Sequence, residues 1–143
     1  MIVPDANLLI YAYDTTSPHH TKARTWWEGM LSGDEPVGVP WVVVLAFTRL
    51  VTHPSVCAAP MTIRQARKRV ALWFDQPHVR LIAPTQETLF LFFEFLEAAE
   101  LGGNLSTDAL IASHAFENGA VVHTNDRDFD RFPRVKWTNP IGM

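Results

Sequence analysis

The chain has 143 residues, 48% of them apolar and 19% charged, and a net charge of −3. That length points to one domain over residues 1–143 with a proper core; the composition excludes a disordered or fibrous chain, and the slightly acidic balance gives no global pull toward nucleic acid or an anionic membrane. The single cysteine, Cys57, excludes an internal disulfide.

The opening stretch, MIVPDANLLI, reads as a strand over about Ile2–Asp5 that places Asp5 at its carboxyl end. Asn7 then starts a short helix over Leu8–Tyr13. Pro4 donates no ladder hydrogen bond and is tolerated at the end of a strand. Ser17-Pro18 supplies an N-cap and a first-turn proline for a helix to about Leu31, with Ala23, Trp27, Met30 and Leu31 on one face and Gly33 ending it. Pro36–Val39 is a short strand. Trp41–Val51 is strongly apolar, and its length, Leu45, Ala46 and Arg49 favour a buried helix over a strand. His53–Pro60 is a loop, and Thr62-Ile-Arg-Gln65 is a capping box that opens the next helix. Val79–Ile82 is a strand.

Thr85 caps a helix through about Leu101, whose predicted packing face is Leu89, Phe92, Phe93 and Leu96. Phe90, Leu91 and Phe95 fall outside that face, and Trp26 and Trp27 are hard to bury together in one small domain, so a homodimer through one or both of these helices is expected. Ser106 or Thr107 caps a helix carrying Asp108 in its first turn and alanines at 109, 112 and 115 that permit close packing. Ala120–His123 is a strand, with Asp126 just beyond it, and Val135–Trp137 is the last strand. Strands alternating with helices predict a parallel sheet covered on both faces. The most apolar helix is too short and too charged to span a bilayer, and the first residues lack a basic n-region. A cytoplasmic location is the default, with no membrane partner.

Ligands of open parallel sheets sit at the carboxyl ends of the strands. Asp5, Asp108 and Asp126 all belong at such an edge, with Asp128 close by. Two unit charges about 4 Å apart repel by roughly 4 kcal/mol at an effective dielectric near 20. Protons, basic partners or a divalent cation must neutralise them. Carboxylate oxygens without a Cys or His cluster favour Mg²⁺ or Mn²⁺, which leads toward phosphodiester chemistry. Taken singly, each acid also reads as a cap or a solvated turn residue; the functional case rests on their joint placement. The six histidines show no zinc spacing. Arg64, Arg67, Lys68 and Arg69 read as a solvated helix face, whereas Arg127, Arg131, Arg134 and Lys136 are nearer the acids and are candidates for phosphate contact. A phospho-acceptor domain would want an acid pair after the first strand, and a haloacid-dehalogenase-like phosphatase would want an Asp where Asn7 stands.

Asp5-Ala6-Asn7 after an apolar strand, Pro40–Pro54, Asp108-Ala109 opening an alanine-rich helix, and Thr124-Asn-Asp-Arg-Asp-Phe129 together resemble the PIN domain family, in the arrangement of VapC-type toxins of toxin–antitoxin pairs. The resemblance implies a three-layer α/β/α domain with a central, mainly parallel sheet of four to five short strands. It implies a Mg²⁺- or Mn²⁺-dependent endoribonuclease, the toxin of a type II pair, that acts on RNA, is inhibited by a small antitoxin and often forms a homodimer. Asp5, Asp108 and Asp126 match the family's catalytic and metal-binding acids, Asp128 is a further metal ligand, and Asn7 and Thr124 match polar, substrate-binding positions. The chain departs from the pattern at Ala46, where the family usually carries a glutamate before Phe-x-Arg, here Phe47-Thr48-Arg49. That departure leaves open a catalytically weakened member acting by RNA or partner binding.

Overall fold

In the computed structural model, which describes residues 1–142, β1 (Ile2–Pro4) leads into α1 (Ala6–Tyr13) and α2 (His20–Ser32). Next, β2 (Val37–Pro40) leads into α3 (Trp41–Val51) and α4 (Ile63–Phe74). Then β3 (Val79–Ile82) leads into α5 (Gln86–Ala99) and, through a 3₁₀ turn at Gly103–Leu105, α6 (Ser106–Glu117). The chain closes with β4 (Val121–His123), a 3₁₀ turn at Arg127–Arg131 and β5 (Trp137–Thr138).

The five strands are parallel and ordered β3-β2-β1-β4-β5. Connections march outward from β1 to β2 to β3, then jump back across β1 to β4. Right-handed crossovers therefore put α5 and α6 on the face opposite α1 to α4. The strand order reverses between β1 and β4, paired Ile2 to Val121 through Pro4 to His123. A sheet of this kind opens a crevice at the carboxyl ends of its strands at that switch point, so Asp5 and Thr124, each one residue past its strand, face the same opening.

The strands are short apolar runs because both faces are covered: Val3, Val37, Val39 and Val122 are fully buried. A Cβ on Gly38 would collide with the end of the Ile82 side chain, so any larger residue at that β2 position requires Ile82 to move. On α6, Ala109, Ala112 and Ala115 are fully buried beside Ile111, the close approach that the alanine spacing foretold.

Helix boundaries differ from the sequence reading where a cap was misassigned. Asp5, not Asn7, is the N-cap of α1. Ser17 does not open α2; its hydroxyl accepts the His19 N–H in a turn, and the helix begins at His20. Neither Ser106 nor Thr107 caps α6, which continues out of the preceding 3₁₀ turn with Leu105 at its N-cap. The Thr62–Gln65 capping box forms as read, and Thr85 caps α5 reciprocally with Thr88.

Two packing expectations are overturned. Trp26 and Trp27 are both buried within one copy of the chain. Trp27 meets Trp73 edge-on at 5.5 Å, and Trp26 donates its Nε1–H to His123 Nδ1 at 3.0 Å. The inner face of α5 is also rotated from the predicted one: Thr88 and Phe95 are buried and Leu91 and Phe92 half-buried, while Leu89, Phe90 and Phe93 are exposed. The cause is that α5 packs chiefly against α6 and the segment carrying Phe132 and Arg134. Phe95 fits between Phe116 and Phe132, at 5.9 and 5.8 Å, under the Arg134 guanidinium.

Candidate active site

Three local rules bring the acids together. Asp5 stands at the end of β1 because an N-cap residue must leave the helical backbone region; its φ of −80° and ψ of 151° continue the strand into the helix start. Asp108 occupies the first turn of α6, where the helix dipole favours an anion. Asp126 caps the 3₁₀ turn after β4, its Oδ1 accepting the Asp128 N–H at 2.9 Å. That turn swings the Asp128 carboxylate back toward Asp108. Asp108, Asp126 and Asp128 each offer an oxygen within 4.8 Å of the others.

Asp5 lies behind this trio, only 7% exposed. One hydroxyl holds it. Thr124 Oγ1 donates to Asp5 Oδ2 at 2.7 Å, accepts the Asp126 N–H at 3.0 Å and accepts Asn7 Nδ2 at 3.4 Å. The fully buried Thr124 thus ties the end of β1, the start of α1 and the acidic turn to a single oxygen. Asn7 Oδ1 is buried with no hydrogen-bond partner.

The electrostatics are those of an unbalanced cluster. Among the described residues, neither Asp5, Asp108 nor Asp126 makes an ion pair, and Asp128 has only Arg131, at 3.8 Å. Burial pushes the Asp5 carboxyl above the ordinary range, the Thr124 hydrogen bond opposes it, and Asp126 adds repulsion. Asp108 is pushed up to about 7, first by burial and then by the charges of Asp5, Asp126 and Asp128; when protonated it donates to Asp126. At neutral pH the site therefore sits close to taking up a proton or a cation.

A divalent cation suits these residues. Three carboxylate oxygens that lie within 4.8 Å of one another are close enough to share one small cation. The ligands are hard, no histidine or cysteine belongs to the group, and the orphaned Asn7 Oδ1 is an acceptor with no donor, as a metal-bound water would supply. The α3 position of interest adds no charge: Ala46 is half-buried and packed against the core.

The basic residues sort themselves. Arg134 is committed to Glu94 at 2.8 Å and lies over Phe95 and Phe116. Arg131 leans on Asp128. Arg127, exposed beside Asp126, has no ion-pair partner among the described residues. Asp130 accepts the Trp137 Nε1–H at 3.0 Å and so braces β5 instead of joining the cluster. Five of the histidines hold backbone or side-chain hydrogen bonds or sit inside a helix: His20 on Tyr11, His78 on Met30, His53 under Ser55, His123 under Trp26, and His114 buried in α6. Sequence reasoning missed the linking role of Thr124, for which no spacing rule exists.

Residues 2–135 match the PIN domain family. Ribonuclease VapC33 of Mycobacterium tuberculosis is 35% identical over 141 residues, covering 99% of both chains. Ribonuclease VapC37 of the same organism is 39% identical over 143 residues, covering 100% of this chain and 99% of the relative. Among solved structures, VapBC2 from Rickettsia felis, bound to a DNA fragment from their promoter, superposes with a TM-score of 0.69 at 22% identity, over 97% of this chain and 98% of that one. The last likeness is one of fold.

Proposed function

The chain belongs to the PIN domain family, and we propose that its acid cluster is the centre of a Mg²⁺- or Mn²⁺-dependent endoribonuclease, the toxin of a type II toxin–antitoxin pair. The observation that carries this reading is the trio Asp108, Asp126 and Asp128 within 4.8 Å, short of basic partners and backed by the buried Asp5.

Asp108, Asp126 and Asp128 would hold the ion. When bound, such an ion polarises the scissile phosphate and generates a nucleophilic water at neutral pH. The chain's own work is to fix the geometry. Thr124 clamps Asp5 so that its charge faces Asp108 and Asp126. Asn7 Oδ1, buried without a partner, is left to accept a hydrogen bond from a water held beside the acids. Arg127 stands free at the rim to meet a phosphate of the RNA strand. Asp108, pushed up to about 7 by burial and by the neighbouring acids, can hold a proton near neutral pH while no ion is bound, and burial raises Asp5 in the same direction.

The weakened, binding-only alternative has little behind it. The trio forms without help from α3, and two relatives that cover 99% and 100% of this chain are named ribonucleases. The fold neighbour is a VapBC assembly, and a small antitoxin protein as partner follows from that kinship. No described helix is long and apolar enough to cross a membrane, and a cytoplasmic location is part of the same proposal, since an RNA substrate would be met there. The test is cleavage of a mixed RNA pool by the purified chain with Mg²⁺, with Mn²⁺ and with EDTA. Cleavage that needs the ion and disappears in Asp108→Asn is the expected result; ion-independent cleavage, or none with either ion, overturns the reading.

A further inference from the structure

The charges of this chain are segregated. Residues 36–74, which span β2, α3 and α4, hold Arg49, Arg64, Arg67, Lys68 and Arg69, five of the twelve Lys and Arg residues, and none of the fifteen Asp and Glu residues. All five cations are exposed, and among the described residues none forms an ion pair. Arg69 lies over the Tyr13 ring. Helices α3 and α4 touch on the same face of the sheet, which gathers these cations on one side of the molecule.

The surface begins at the acid cluster. The pairing of Ile2 with Val37, carried forward, sets Asp5 level with Pro40, one strand spacing or about 4.8 Å away. Trp41 is the next residue and the first of α3. Helices α3 and α6 lie on opposite faces of the sheet yet touch, which is possible only over the carboxyl edge where both begin and where α6 carries Asp108. On α3 the buried side chains are Val43, Val44, Phe47 and Val51. Away from them runs an exposed row at four-residue spacing, Trp41, Leu45 and Arg49. Trp41 is 58% exposed. The other four tryptophans are covered: Trp26, Trp27 and Trp73 are buried, and Trp137 is half-buried with its Nε1–H on Asp130.

A nucleic acid needs such a surface here. The net charge is −3, the site itself is acidic, and a bound cation offsets the charge at one phosphate only. The neighbouring phosphates need cations from elsewhere, and single strands add stacking of their bases on aromatic side chains. Resting on the ribonuclease reading above, we propose that the α3–α4 face is the track of a single-stranded RNA substrate. An unpaired base stacks on Trp41 at the rim of the acid cluster, and Arg49, Arg64, Arg67 and Lys68 meet the phosphates beyond it. A duplex keeps its base faces stacked inside and gains nothing from Trp41.

The experiment measures fluorescence anisotropy of a short fluorescein-labelled RNA with the full chain in EDTA, so that binding is read apart from cleavage. A single strand of mixed sequence is compared with a duplex of the same length. Trp41→Ala should weaken single-strand binding roughly 5- to 150-fold, the range of base–aromatic stacking, leave duplex binding unchanged, and be partly rescued by Trp41→Phe. Arg49→Gln, Arg67→Gln and Lys68→Gln combined should flatten the dependence of log K on log salt by about 2, at roughly 0.7 per phosphate contact on a single strand. Lys22→Gln, exposed on α2 outside the acid-free stretch, should change neither quantity. Every substituted position is exposed, and an unchanged melting temperature confirms that each variant is folded. Wild type that binds no single-stranded RNA, or variants that bind with wild-type affinity and salt dependence, overturn the track. If those variants still cleave RNA with Mg²⁺, the ribonuclease reading survives and the track alone has failed. Variants with normal RNA binding that turn a dimer into a monomer by light scattering give the row to a second copy of the chain, which also overturns it.

Discussion

The two ends of α1 are opposites. At its start, Asp5 joins a group of like charges with a buried acceptor unmet on Asn7. At its end, Tyr13 enters an aromatic cluster in which Phe47, Trp73 and Trp27 are fully or almost fully buried and packed edge to face. One short helix thus runs from a region that opposes folding to one that favours it. The aromatic end buries the area that offsets the repulsion at the acidic end, and the site can stay electrostatically unsatisfied because something close by is packed to excess. Mutations should therefore act with opposite sign at the two ends, and the following experiments test that division.

The largest effects are expected on the packed side. Phe95→Asp puts an unpaired charge between Phe116 and Phe132 and should leave the chain unfolded or aggregated at room temperature, because an uncompensated charge in a core costs several kcal/mol. Phe90, on the same helix, is 63% exposed, and Phe90→Asp should change stability by no more than about 0.5 kcal/mol. If α5 forms the homodimer interface through Leu89, Phe90 and Phe93, Phe90→Asp yields a folded monomer by light scattering. A dimer that survives it moves the interface off α5. In the aromatic cluster, Trp73→Ala should lose about 3–5 kcal/mol in urea unfolding. Trp73→Phe, which keeps most of the ring and removes the hydrogen bond to Tyr13, should lose roughly 1 kcal/mol from the bond plus a smaller packing term.

On the acidic side, function and stability should part. Asp108→Asn should reduce RNA cleavage by about 100-fold or more, the usual scale for disturbing a metal site, yet raise the melting temperature at pH 8 by removing one of the mutually repelling charges. A variant that cleaves as well as wild type would remove Asp108 from the site. One that is less stable at pH 8 would show that the cluster is not repulsive. Thr124→Val should fall between: it keeps the shape, removes the hydrogen bonds to Asp5 and Asp126, and should cost about 1–3 kcal/mol for the buried carboxylate left without its donor.

Much of this contrast was legible in the sequence. The order of elements, the parallel sheet and the positions of Asp5, Asp108 and Asp126 relative to it follow from apolar runs and caps, which are local signals. The set read from the sequence was Asp5, Asp108 and Asp126 with Asp128 as a further ligand, whereas the oxygens that stand closest together are those of Asp108, Asp126 and Asp128, an arrangement that depends on the turn that Asp126 caps. What escaped were features decided by neighbours distant in sequence. The inner face of α5 was misread because its apolar residues surround the helix, and Phe116, Phe132 and Arg134 choose among them. Trp26 and Trp27 appeared too bulky for one domain, since nothing local reveals that His123 and Trp73 will receive them. Thr124 was placed at the site, but two of its three hydrogen bonds depend on residues 119 and 117 positions away.

The smallest effect expected is also the cleanest measure of the repulsion. Asp108 binds its proton with a pKa of about 7 in the folded chain against an ordinary value of 3.8. Between those values the unfolded chain has released the proton and the folded chain still holds it. Where the folded state binds more protons, stability falls as pH rises. The metal-free protein should therefore lose a few degrees of melting temperature from pH 5 to pH 7.5 in EDTA and level off above, with Asp5, shifted in the same direction, adding to the slope. Asp108→Asn removes its share, so the gap between variant and wild type should widen with pH and then hold constant. Mg²⁺ competes with the same proton and should raise the wild-type melting temperature more at pH 8 than at pH 6, with little effect on the variant. A gap that does not change with pH would mean that Asp108 titrates alike folded and unfolded, and that the acids are too far apart or too well solvated to hold an ion between them.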